Sequence, residues 1–152
     1  MAGYCSIGAG CIFQYSSQPY NQLLCVKRKM NIEERYKEAL LLVEKGEHNK
    51  ALSIYKELIE ESDDPRFFIA YGTCLQELGH LEESINQLEK GIALKPHYCE
   101  GDARLFLATS YLKAGQKNKA IEQWKIVEKM EPEYPSYEEV PNEAKRMLEK
   151  YA

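Results

Sequence analysis

The side chains of this chain that could do chemistry are three histidines, five cysteines and a larger set of carboxylates, and their spacing limits what they can do. His48, His80 and His97 stand far apart, each beside a turn signal, with no nucleophile at a matching place near any of them. General-base or nucleophilic catalysis needs a base within hydrogen-bond reach of the group it activates. No Gly-rich phosphate loop and no Ser/His/Asp or Cys/His arrangement is present. His97 and Cys99 are close in sequence, but two ligands without a second pair fall short of a metal-ligand set, and such pairs in loops commonly bind nothing. The cysteines (Cys5, Cys11, Cys25, Cys74 and Cys99) are odd in number and form no CxxC pair, which fits reduced thiols in a cytoplasmic protein. Cys74 falls inside a helical pattern, where a buried thiol packs as a small hydrophobe. The expectation is a non-enzymatic chain with no catalytic residue, no metal and no cofactor.

Charge narrows the partner. The net charge is −4, and the one basic run is Lys27-Arg28-Lys29, three charges that read as a solvated linker. Nucleic acid is therefore not expected, because phosphate binding needs a concentrated Lys/Arg face. No stretch reaches the ~20 apolar residues that span a bilayer, and Met147 to Ala152 carries charge where a tail anchor would be apolar. A length of 152 residues fits one domain. What remains is a protein or peptide partner.

The elements that would present a binding face are centred on Pro65 to Tyr98. Phe68, Tyr71, Gly72 and Leu75 are spaced three and four apart, which predicts one face of a helix. Leu78-Gly79-His80 interrupts it, and Leu81, Ser84, Ile85, Leu88 and Ile92 resume it until Pro96, which cannot continue a helix. The same pattern surrounds two other glycines: Gly46, Gly79 and Gly115 recur at intervals of 33 and 36 residues. Each is preceded by a small residue (Ala39, Gly72, Ala108) and followed by another (Ala51, Ser84, Ala120) and then by a bulky one (Tyr55, Leu88, Trp124). Small residues on facing helices let the backbones approach, and large ones fill the flanking gaps. A period near 34 residues built of helix–turn–helix units is a solenoid signature.

These residues, with Pro96 and Pro132 at the ends of units, resemble the tetratricopeptide repeat (TPR) family over Asn31 to Tyr134. The resemblance implies an all-α, right-handed α-solenoid of three TPR-like repeats, at about residues 31–64, 65–98 and 99–134, with residues 135–152 as a C-terminal capping helix. The family's aromatic eleven residues before the glycine is Phe68 in the second unit but Arg35 and Arg104 in the others. Arg35 and Glu38, standing where the second unit has Phe68 and Tyr71, read as polar outward-facing positions, so the array is expected to begin there. Asn31 is a plausible helix cap. Residues 1–29 lack acidic residues and repeat spacing, hold three of the cysteines, and read as a flexible tail or upstream extension ahead of Met30. At the other end, Pro141-Asn142-Glu143 is expected to open a last helix with Val140, Ala144, Met147, Leu148 and Tyr151 as its apolar stripe. A terminal unit needs such a cap to cover its stacking face.

The resemblance also places a groove on the first helix of each unit. Its lining would be Glu33, Tyr36, Leu40, Val43 and Glu44, then Arg66, Ile69, Thr73, Gln76 and Glu77, then Asp102, Leu105, Thr109, Leu112 and Lys113; some apolar members could instead pack against the last helix or the tail. The peptide-binding candidates are Tyr36, Leu40, Val43, Ile69, Thr73, Gln76, Leu105, Thr109 and Leu112. Family members that clamp the acidic C-terminus of heat-shock chaperones use Lys, Asn and Arg at places held here by Tyr36, Leu40, Ala70, Asp102 and Phe106, so that clamp is absent. The expected function is an adaptor or scaffold that holds a peptide or helix. Two alternatives stand beside it: a chaperone for an apolar segment, similar to the small acidic three-repeat chaperones of bacterial secretion systems, and a self-assembling homo-oligomer.

Overall fold

Asn31 starts the first helix with a capping box: its side chain accepts the Glu33 N–H at 3.0 Å, and the Glu34 carboxylate accepts the Asn31 N–H at 3.1 Å. The computed structural model describes residues 31–131 and 139–152, which form seven α-helices and no strand among the described residues. They are α1 (Ile32–Glu44), α2 (His48–Glu61), α3 (Pro65–Glu77), α4 (Leu81–Ala93), α5 (Glu100–Lys113), α6 (Lys117–Glu128) and α7 (Glu139–Tyr151). Residues 1–30, including the expected tail, and the 132–138 connection lie outside the described residues.

The three periodic glycines end α1, α3 and α5. Gly46, Gly79 and Gly115 have φ of 74°, 81° and 76°, and the N–H of the residue after each returns to a carbonyl five residues back (Glu47 to Leu42, His80 to Leu75, Gln116 to Tyr111). A Cβ at any of the three would meet nothing within 4 Å, so the left-handed backbone, and not lack of room, calls for glycine.

Gly72 answers a different demand. A Cβ there would lie 2.7 Å from Leu88 Cγ and 3.2 Å from the Leu88 backbone N, because α3 and α4 cross in close contact. Ser84, the small residue opposite, donates its hydroxyl to the Gly72 carbonyl at 2.8 Å. Gly72→Val should therefore wedge the crossing apart and cost about 1–3 kcal/mol, read as a shift in a urea unfolding curve. An unchanged midpoint would show that the helices do not meet there.

The core runs along the stack in two sections. Ala39, Ala51, Tyr55, Leu58, Phe67, Tyr71, Cys74 and Leu75 join α1, α2 and α3. Ile69, Leu88, Leu107, Tyr111, Trp124, Val127 and Ala144 join α3 through α7. The last helix begins at Glu139, two residues earlier than Pro141 predicts; Pro141 still falls in the first turn, where no intrahelical bond is lost. Its stripe of Val140, Met147, Leu148 and Tyr151 packs on the second core section around buried Ala144.

Arg35 departs from the sequence reading. It does not face outward: its side chain is largely buried, with the guanidinium held by Glu61 and, at 3.7 Å, by Glu57 of α2. Arg104, at the equivalent place in the third unit, pairs with Glu100 and donates to Gln123 of α6 at 2.8 Å. Where the second unit uses Phe68, the other two use an arginine whose stem packs and whose fork reaches the facing helix.

Candidate peptide-binding face

The first helices of the three units, α1, α3 and α5, carry all nine residues predicted to bind peptide. Helical register puts Tyr36, Leu40 and Val43 on one face of α1, Ile69, Thr73 and Gln76 on one face of α3, and Leu105, Thr109 and Leu112 on one face of α5. Leu40 is 38% exposed, and Tyr36, Val43, Thr73, Leu105, Thr109 and Leu112 are half-buried.

Two candidates are engaged elsewhere. Gln76 is only 5% exposed: its amide donates to the Phe106 carbonyl at 2.9 Å and to the Ser110 hydroxyl at 2.6 Å. Ser110 in turn lies 3.0 Å from the Ser84 hydroxyl, so a buried polar chain ties α3, α4 and α5 together. Ile69 is buried against Gly91 and the second core section. Leu105 and Leu112 also lean on that core while keeping part of their surface. Thr73 and Thr109 donate their hydroxyls to the Ala70 and Leu105 carbonyls of their own helices, each at 2.9 Å.

Phe106, one of the clamp positions and not among the nine candidates, is 42% exposed. The signal for it was available: position 106 is one of the places where clamp-bearing family members line the groove, and the buried set of α5 (Ala103, Leu107, Ala108, Ser110 and Tyr111) passes over it.

Charge on this face is unevenly matched. Arg66 is held on two sides: its guanidinium bonds Asp64 (Nη2 to Oδ2 at 2.6 Å, Nε to both carboxylate oxygens at 3.0–3.1 Å) and Glu33 of α1 (Nη2 to Oε1 at 2.5 Å), and it lies over the rings of Tyr36 and Phe67. The Arg66 hydrogen bonds hold the Asp64 carboxyl below the usual carboxylate range. Asp102 differs. It is half-buried, has no hydrogen-bond or ion-pair partner among the described residues, and burial pushes its carboxyl up. No group of three or more His, Cys, Asp or Glu among the described residues could hold a metal ion. No helix among them is long and apolar enough to cross a membrane.

The tetratricopeptide repeat family matches residues 65–98, the α3–α4 hairpin and the turn that follows it. The chain is a TPR-like helical-repeat protein. This TPR-like array is similar to SycD, the type III secretion translocator chaperone of Yersinia enterocolitica, at 22% identity and a TM-score of 0.71, covering 78% of this chain and 88% of that one. It is also similar to PcrH from Pseudomonas aeruginosa (22% identity, TM-score 0.72, 79% and 90% covered). PcrH in complex with the chaperone binding region of PopD matches at 20% identity and a TM-score of 0.73, covering 89% of the TPR-like chain and 94% of the other. At these identities the likeness is one of fold.

Proposed function

We propose that this protein is a non-catalytic binding module that holds a peptide or helical segment of a partner protein on the α1–α3–α5 face. The observation that carries the reading is the run of incompletely covered apolar side chains on that face: Leu40 and Phe106 exposed, Tyr36, Val43 and Leu105 half-buried. Apolar groups gathered on one face and left partly uncovered mark interaction sites. A narrower form is favoured by the overlap with SycD and PcrH along most of their lengths: a chaperone that shields an apolar segment of its client. A cytoplasmic setting belongs to the same reading.

The test is a loss of binding without a loss of fold. Partner segments recovered by affinity capture would be resynthesised and titrated by calorimetry against the parent and Phe106→Asp. The substitution should weaken binding at least tenfold, about 1.4 kcal/mol, while leaving the melting curve nearly unmoved. Leu105→Asp is a poorer choice, since it would also press a carboxylate onto the core. Raising salt should matter less than the substitution, because screening acts on exposed charges and not on apolar burial. Unchanged affinity in Phe106→Asp, or binding that survives it but collapses in salt, would overturn the proposal.

A further inference from the structure

Six charged side chains stand on the binding face by register: Glu33, Glu44, Glu77 and Asp102 against Arg66 and Lys113. Arg66 spends its hydrogen bonds on Asp64 and Glu33 and makes none to Asp102 among the described residues. Lys113 is eleven residues along α5 from Asp102, about 16 Å at the helical rise, too far to pair. Asp102 is therefore an acidic group at the edge of an apolar face with no cation paired to it among the described residues.

An aspartate in the first turn of a helix often does no more than complement the helix dipole. In α5 that place is shared with Glu100, which is paired with Arg104 and lies outside the lining set. Asp102 instead sits one turn ahead of exposed Phe106 and half-buried Leu105, where a carboxylate loses part of its hydration and gains nothing in return from the described residues. Burial raises its proton affinity accordingly. A segment laid over Phe106 would remove still more water from Asp102, so an apolar or acidic segment would leave a desolvated charge unmatched, whereas a basic one would neutralise it.

We propose, building on the reading of this face as a peptide site, that the bound segment is basic as well as apolar: a lysine or arginine of the partner protein meets Asp102 while adjacent apolar residues cover Phe106 and Leu40. Apolar burial supplies the affinity, and Asp102 selects among apolar segments by rejecting acidic ones.

The experiment is selection of a random 12-residue phage-displayed peptide library on the full chain and on Asp102→Asn, whose fold is checked by circular dichroism. On the parent, lysine and arginine should be enriched at least threefold over the library, next to leucine, isoleucine or phenylalanine. On Asp102→Asn the enrichment should fall to library level, and on Asp102→Lys it should turn to aspartate and glutamate. Apolar peptides selected with no basic preference, or with one that Asp102→Asn leaves intact, would overturn this inference and leave the peptide site standing. If no peptide is selected, or the selected peptides bind Phe106→Asp as well as the parent, both proposals fail. They fail equally if sedimentation shows that a second copy of the chain, displaced by no peptide, occupies the face.

Discussion

Trp124→Ala should lower the stability of this protein by about 3–5 kcal/mol. Trp124 is 1% exposed and lies in the core section that joins α3 to α7. Its fully buried neighbours Ala108, Ala120 and Ala144 have no side-chain length to lend, so the space left by the indole stays largely open. The substitution also removes the ring on which Tyr151 of α7 stacks, with centroids 5.6 Å apart and planes 22° apart. Aromatic pairs contribute about 0.5–1.5 kcal/mol beyond their buried area, so the cost falls on the docking of α7 as well as on the α5–α6 crossing. Urea unfolding followed by far-ultraviolet circular dichroism measures it. A loss below about 1 kcal/mol, the size of an ordinary surface change, would place Trp124 outside the core. As the chain's single tryptophan, Trp124 also reports on its own surroundings in the parent: emission should be that of a dry site and shift to the red as α7 leaves.

The second large effect is expected from Met147→Asp combined with Leu148→Asp. Both side chains pack on the same core section from α7, and two carboxylates there would have to be desolvated without a cation beside them. The less costly outcome is release of the helix, which bares Trp124, Val127 and the surface of α6 that α7 covers. In a linear array an uncovered end is a stacking surface for another copy, so light scattering behind a sizing column should show self-association or aggregation. Tryptophan emission should shift to the red at the same time. Charge reversal at Lys145, exposed on α7, should do neither. A double variant that stays monomeric with an unshifted midpoint would mean that α7 contributes nothing as a cap.

Binding effects are smaller in energy but bear more directly on function. Phe106 is the informative position because it combines exposure with a place on the α1–α3–α5 face. Leu40, at the place of Thr73 and Thr109, is the exposed apolar residue that α1 brings to the same face. Leu41, next in sequence and 53% exposed, lies at the place where α3 buries Cys74 and α5 buries Ser110 against the preceding unit. The exposure of Leu41 thus belongs to the beginning of the described stack, and that of Leu40 to the binding face.

The helices and their order were legible in the sequence because the constraints that make them are local or lie within one hairpin. A glycine at positive φ after each first helix, a small residue at each crossing and a bulky one beside it recur in every unit, and each condition can be read within a few turns of chain. Trp124 was legible for the same reason: the pattern reserves a large side chain between Ala108 and Ala120. Asn31 as the first cap and the apolar stripe of α7 were equally local.

What the tertiary structure alone decided was the fate of polar and charged groups. Gln76 has the register of a ligand-facing residue, yet its amide is claimed by a carbonyl and a hydroxyl on α5, 30 and 34 residues away. Arg35 has the register of an outward-facing end residue, yet its largely covered side chain is the partner of Glu61, 26 residues on. Asp102 and Asp64 are the same residue type on the same side of the array, but one is matched by Arg66 and the other by nothing described. Apolar side chains respond to a period, because burial is non-directional and roughly proportional to area. Hydrogen bonds and ion pairs require a particular donor at a particular distance, and in this chain those donors come from other helices.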